Sequence, residues 1–291
     1  MKANFKLSAS YFITGASGQL GKALSARYPE ATSVDREQFD ITDPASYDNI
    51  DWSKYDTLIN AAAMTNVDGA ETPDGEELAN NVNARAVELM ASTANQHNLT
   101  LVHISSDYVF DGSRELHSED EAFAPLSKYG KSKADGDVAA MSAAKHYILR
   151  TSWVIGEGKN FVSIMKNLAD QDIKPSVVDD QIGRLTFVPT LVEAIDHLLS
   201  TGQPFGTYNC TNSGESVSWA EIAKLVFEKA GKSADDVTPV STERYYAGKE
   251  GIAPRPLKST LALDKLVAAG FEPSDWRSEL DIYWKHMEEQ S

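Results

Sequence analysis

A single cysteine, Cys210, among 291 residues leaves no partner for an internal disulfide, and no cluster of Cys and His has metal-ligand spacing. A reducing compartment and no bound metal are the expectation, with Cys210 itself read as a buried strand residue. Long hydrophobic runs are missing too, which argues against a membrane span. Lys2, Asn4 and Lys6 interrupt the N-terminal stretch where a secretion signal would need an apolar core, so none is expected there. Positive charge is scarce: 27 Lys and Arg against 43 Asp and Glu give a formal charge of −16. That field disfavours nucleic acid and anionic membrane as partners, because phosphate surfaces require an electropositive face. A small anionic ligand is not excluded, since a few local cations and helix N-termini can hold one against the global field. A cytoplasmic protein is the expectation.

What is present is an ordinary soluble composition, 42% hydrophobic and 24% charged, which argues against a largely disordered chain. The length suffices for one large α/β domain or a main domain with a smaller lobe. Tyr11-Phe12-Ile13-Thr14 is a short apolar run that ends in a glycine turn, Thr14-Gly15-Ala16-Ser17-Gly18-Gln19-Leu20-Gly21, and residues 19–28 then carry a helical pattern. Runs at 32–35, 57–60 and 101–106 read as further strands, separated by helical stretches such as 81–96. Strands alternating with helices imply an α/β fold of Rossmann type, a doubly wound parallel sheet.

After Trp153 the rhythm is less regular. Helices are expected at 160–170, 189–200 and 219–230, strands at 176–178 and 206–210, a Pro- and Gly-rich loop at 246–257, and two terminal helical stretches. Residues 1–155 plus about 187–213 are therefore assigned to the Rossmann domain, and about 156–186 and 214–291 to a smaller C-terminal substrate-binding lobe. The ten residues before Tyr11 exceed what the first strand needs and read as a tail or a junction.

The chemistry lies in two motifs. Gly15, Gly18 and Gly21 recur every third residue: the first permits a tight turn, the second lets backbone amides approach a pyrophosphate, and the third lets the helix pack closely on the strand. Asp35, twenty residues after Gly15, is placed to accept a hydrogen bond from a ribose 2′-hydroxyl and so favours NADH. Arg36 beside it suits a 2′-phosphate and favours NADPH; the sequence leaves both open. Asp40, followed by Ile41, reads as an adenine-pocket residue or a loop cap. The small residues Ala61, Ala62 and Ala63 after Asn60 leave room for a cofactor's ribose and pyrophosphate across the strand ends.

The second motif is Tyr129-Gly130-Lys131-Ser132-Lys133. Its spacing puts Tyr129 and Lys133 on one helix face, where the ammonium is expected to lower the phenol's pKa and ready it for proton transfer. The same ammonium can hold a nicotinamide ribose. Ser106, ending a strand, is placed to hydrogen-bond a substrate carbonyl oxygen beside Tyr129. Together the motifs read as a nicotinamide-dependent carbonyl reductase using Ser106, Tyr129 and Lys133.

These residues resemble the extended short-chain dehydrogenase/reductase superfamily and, within it, the dTDP-4-dehydrorhamnose reductases. The resemblance rests on blocks at 60–71, 104–112, 129–133, 150–154, 158–161, 180–184 and 255–259, and runs over nearly the whole chain. It implies reduction of the 4-keto group of dTDP-4-dehydro-β-L-rhamnose by NADPH or NADH. By position it implies a triad of Ser106, Tyr129 and Lys133, sugar contacts from Asp107 and Trp153, and contacts to the nucleotide diphosphate from Asn160 and Arg255, whose planar fork suits phosphate. Gly18, Gln19, Leu20, Asp35, Asp40 and Ala61 to Ala63 match cofactor positions. Met64, Leu185 and Lys258 depart from the family's usual residues. Ala23 stands where some members carry an acid for a Mg2+-linked dimer, so no metal and a monomer or weak homodimer are expected. A sugar-nucleotide dehydratase is disfavoured because Ser106 is followed by Asp107 and Tyr108 rather than an Asp-Glu pair. An epimerase, or a binding subunit like the β subunit of methionine adenosyltransferase, remains the alternative.

Overall fold

The computed structural model describes residues 10–289; nine of the ten residues before Tyr11 lie outside them. Tyr11–Thr14 (β1), Thr32–Val34 (β2), Thr57–Asn60 (β3), Thr100–Ser106 (β4), His146–Thr151 (β5) and Gly206–Asn209 (β6) form one sheet in the order β6-β5-β4-β3-β1-β2. Every pairing in it is parallel. Its strands are apolar on both faces because helices cover both. Phe12, Leu58, Leu101 and Ile148 face one core with Ala86, Met90 and Ala140; their neighbours Ile13, Ile59, Val102 and Leu149 face another with Leu24, Leu191 and Ile195. Leu58 and Ile59 are both fully buried, so truncating either to alanine costs about 2–5 kcal/mol.

The longer helices are α1 (Gln19–Arg27), α2 (Pro73–Asn80), α3 (Ala86–His97), α4 (Lys128–Met141), α5 (Phe161–Asp170), α6 (Val188–Thr201), α7 (Trp219–Lys229) and α8 (Trp276–Glu289). The helix expected over 81–96 starts earlier, at Pro73, and passes through a π turn at Asn81–Arg85 into α3. Thr72 caps its start by accepting from the Gly75 amide, and proline at the first helical turn is a start signal rather than a breaker. β5 was not anticipated; its run Tyr147-Ile148-Leu149 is short and follows α4 closely. Thr242–Tyr246 is a helical turn that leads into the 246–257 loop.

A third core gathers Ile155, Val162, Phe187, Ala220, Phe227, Trp276 and Trp284 from α5, α7, α8 and the segments between them. Leu266, in the stretch assigned to the lobe, packs instead with Tyr208 and Cys210 on the sheet side. The strand order reverses between β1 and β3, and in such sheets ligands bind beyond the carboxyl ends of the strands at the reversal. Gly15 and Ala61 follow directly there. No helix among the described residues is long and apolar enough to cross a membrane.

Candidate active site

Close packing of two strand ends shapes the first half of the site. Gly15 has φ +75°, and a Cβ on it would lie 2.6 Å from the Ala62 amide nitrogen. A Cβ on Gly21 would lie 2.0 Å from the Gly15 carbonyl oxygen, so α1 rides directly on the turn. Gly18 is the N-cap of α1 and offers no side-chain cap, leaving the first-turn amides free for an anion. Around this turn opens a cavity of about 310 Å³ lined by Gly15, Gly18, Asp35, Arg36, Asp40, Ile41 and Ala61 to Ala63. Asp35 Oδ1 accepts from the amides of Glu37 (3.0 Å) and Gln38 (3.2 Å). Asp40 Oδ1 accepts from the Thr42 amide and hydroxyl, which hold its carboxyl below the usual range. Arg36 stays exposed, 3.9 Å from Asp40.

A second cavity, about 560 Å³, shares Gly18 and Ala61 to Ala63 with the first and reaches Gln19, Leu20, Ser106, Asp107, Tyr129, Lys133 and Trp153. The two cavities meet at the glycine turn. A dinucleotide fits that outline and donor set: uncapped amides at one bend, Asp35 and Arg36 at one end, a buried ammonium at the other. Gln19 Oε1 is buried without a protein partner, while its Nε2 donates to the Lys159 carbonyl (3.3 Å).

Tyr129 and Lys133 lie on α4, whose start is capped by Ser127 accepting from the Gly130 amide (3.0 Å). Lys133 is buried and donates to the Ile104 carbonyl at 2.7 Å. The expected lowering of the phenol's pKa does not hold. Burial dominates and pushes Tyr129 up to about 12, Asp107 adds to this, and the Ser106 hydroxyl opposes it. Burial likewise pulls Lys133 down to about 8, against the opposing charge of Asp137. Ser106 Oγ donates to Asp107 Oδ1 (3.0 Å) and accepts from the Tyr108 amide (3.2 Å). Burial raises Asp107 to about 6, against the hydroxyls of Ser259 and Ser106.

On the outer side Trp153 takes φ +49° and stacks on Trp219, ring centroids 3.8 Å apart. Gly183 makes room, since a Cβ there would sit 2.9 Å from the Trp153 ring. Arg255 pairs with Asp68 at 2.9 Å, lies over the Tyr246 ring and donates to the Ala253 carbonyl. Asn160 is not brought to the cavity. It caps α5: Oδ1 accepts from the Ser163 amide (3.0 Å), and Nδ2 donates to the Gly156 carbonyl (2.7 Å) and reaches Tyr283 Oη.

The sequence matches the RmlD substrate-binding-domain family over residues 10–289. The chain belongs to this family. It is 37% identical over 289 residues to a dTDP-4-dehydrorhamnose reductase of Aggregatibacter actinomycetemcomitans, covering 94% of this chain and 97% of that protein. It is 35% identical over 281 residues to the spore coat polysaccharide biosynthesis protein SpsK of Bacillus subtilis, covering 93% and 95%. Among solved structures, the dTDP-4-dehydrorhamnose reductase of Bacillus anthracis in complex with NADP superposes with a TM-score of 0.88 at 35% identity, covering 96% of this chain and all of that one.

In this family member the cavity also takes Thr65, Val67, Tyr108, Thr151 and Ser152, and Asp68 and Ser259 hold Arg255 and Asp107. None of these was singled out from the sequence. The signal was there: all but Thr151 and Ser152 sit in the blocks 60–71, 104–112 and 255–259, and those two directly follow Arg150 in a fourth.

Proposed function

We propose that the protein reduces the 4-keto group of dTDP-4-dehydro-β-L-rhamnose with NADPH or NADH, giving dTDP-L-rhamnose. The observation that carries this reading is the convergence of Ser106, Tyr129 and Lys133 in one cavity that runs into the glycine turn. The reduced nicotinamide, when bound, supplies the hydride that adds to the carbonyl carbon. The protein's part is the proton and the placement. Tyr129, with its pKa pushed up to about 12, stays protonated at neutral pH and donates to the ketone oxygen as negative charge builds there. Ser106 turns its hydroxyl from Asp107 to the same oxygen, and Lys133 holds the nicotinamide ribose while its charge stabilises the phenolate left behind.

Trp153, braced by Trp219, offers a flat apolar face to the sugar. Arg255 exchanges one arm of its pair with Asp68 for the substrate diphosphate. Asn160, already committed to the cap of α5, supports that loop rather than contacting substrate directly. The Rossmann domain spans 10–155 and about 187–213, with the lobe supplied by about 156–186 and most of 214–289. The enzyme works as a monomer or weak homodimer in the cytoplasm, in keeping with its strong negative charge and a water-soluble dTDP-sugar.

The test is oxidation of NADPH and of NADH with dTDP-4-dehydro-L-rhamnose made in situ by the preceding dehydratase and epimerase steps. Rapid loss of reduced-nicotinamide absorbance with dTDP-L-rhamnose as product is expected. Cofactor binding without turnover would transfer the weight to epimerisation or a binding role.

A further inference from the structure

Beneath Lys133 lies an ion pair that the reaction itself does not use. Asp137, one helical turn further along α4, is fully buried, and so is Arg150 on β5. Arg150 Nε donates to Asp137 Oδ2 at 2.8 Å. The guanidinium is itself enclosed, lying 5.3 Å from the Phe110 ring centre and 5.0 Å from that of Phe123, and it donates to the Glu119 carbonyl. Such a pair is an expensive way to build a core, because desolvating both ions offsets most of their attraction. Its place explains it better than stability does. We propose that Asp137, clamped by Arg150, is a positioning residue for Lys133: the buried counter-ion that keeps this lysine a cation in the cofactor cradle. The proposal rests on the reading of Lys133 as the group that holds the nicotinamide ribose.

The groups around Lys133 support this. Tyr129, on the same helix, is a neutral phenol. His103, from β4, is held neutral, its pKa pulled well down by burial and by Lys133 itself. The Ile104 carbonyl accepts from the ammonium but carries no net charge. Asp137 is the charged group that raises Lys133 against the burial that lowers it. Burial pushes Asp137 up in turn, and the guanidinium of Arg150 is the first of the influences opposing this. Arg150 thus favours the anion of Asp137 against burial, and Asp137 favours the cation of Lys133 in the same way. The arrangement links the β5 core to the cofactor's ribose.

The test is NADPH affinity, followed by fluorescence between about pH 7 and 9.5, a range chosen to bracket the lysine's titration near 8. Wild-type affinity should fall through that midpoint as Lys133 loses its proton. Asp137→Asn should move the midpoint down by about one unit, the usual size for loss of a close counter-charge, so that affinity at pH 8 drops several-fold while far-UV circular dichroism is kept. Because Asp137→Asn leaves Arg150 buried and unpaired, the double variant Asp137→Asn/Arg150→Met, which removes both charges, is measured beside it. It should recover fold stability yet keep a lowered midpoint. A packing role alone would restore the affinity profile together with the stability, and that outcome would overturn the proposal. So would a wild-type midpoint in a folded Asp137→Asn protein. The titration needs no sugar substrate, so a failure of the proposed reduction would show separately, as NADPH binding without turnover.

Discussion

Replacing Tyr129 by phenylalanine removes one oxygen and little else. The ring is buried and meets Tyr108 edge-on, centroids 5.4 Å apart, contacts that phenylalanine keeps. The loss is a proton donor at the ketone oxygen. General acid catalysis of this kind contributes about 10²–10⁴-fold, or roughly 3–5 kcal/mol of barrier, and kcat in the reductive direction should fall by that factor. Affinity for NADPH should change little, because the ribose contact is proposed for Lys133. The pH profile separates the two residues. Reduction requires a protonated phenol, and with its pKa near 12 Tyr129 stays protonated through the accessible basic range. Loss of activity as pH rises through about 8 therefore belongs to Lys133 losing its proton, and the decline in cofactor affinity there should persist in Tyr129→Phe. Single-turnover oxidation of bound NADPH, with fluorescence titrations of the same samples, measures both. A Tyr129→Phe enzyme within threefold of wild type would refute the assignment of the phenol as acid. Disappearance of the basic decline in cofactor affinity would instead tie that decline to the phenol and refute its assignment to Lys133.

Three further outcomes test other parts of the site. Gly21→Ala places a Cβ 2.0 Å from the Gly15 carbonyl and should cost about 1–3 kcal/mol of stability by overpacking, together with most NADPH affinity; urea unfolding and fluorescence titration read the two, and unchanged values would remove Gly21 from the turn. Arg36→Ala should lower the ratio of NADPH to NADH affinity by roughly tenfold, since a guanidinium can grip a 2′-phosphate that NADH lacks; an unchanged ratio would assign the 2′-position to other groups. Asp107 has its folded-state pKa raised to about 6 from an unfolded value near 3.9, so its contribution is fully present below about pH 4 and is lost as pH rises through 6. Asp107→Asn removes that loss, and its stability relative to wild type should rise by on the order of 2–3 kcal/mol between pH 4 and 8; a constant difference would mean the carboxyl is not held protonated.

Much of this was legible because glycine and spacing carry backbone information. Gly15 and Gly21 are fixed by distances of 2.6 and 2.0 Å that no side chain tolerates. The interval from Tyr129 to Lys133 is one helical turn. What spacing cannot show is environment. The expected depression of the Tyr129 phenol came from the spacing alone, whereas both groups are buried and desolvation is the largest influence on each. Asn160 illustrates a second limit: an asparagine before a helix is equally a ligand or a cap, and only the positions of Ser163, Gly156 and Tyr283 show that its amide is engaged at both ends. The π turn at Asn81–Arg85 has no sequence signature of its own. Its use appears in Asn83, which accepts from the Met64 amide and donates to the Met64 carbonyl and to Ser132, tying the chain after β3 to α4.

The position of the site follows from a change of character at one level of the sheet. Phe12 with Leu58, and Ile13 with Ile59 and Val102, are apolar neighbours in register. The next row is Thr14, Asn60 and His103, all buried, and it is bonded across the strands. Thr14 Oγ1 donates to Asn60 Oδ1 at 2.8 Å, and Asn60 Nδ2 meets His103 Nδ1 at 3.1 Å. Asn60 Oδ1 also accepts from the Ala62 amide, so its amide nitrogen must face His103 and the imidazole proton must sit on Nε2. Each bond in such a row contributes only about 1 kcal/mol net, less than the leucine-class residues it displaces. Its return is geometric. The row holds the Ala62 amide against Gly15 and so fixes the floor where the two cavities join. It also ends in a histidine kept neutral by burial and by Lys133, so the row adds no second positive charge beside that lysine.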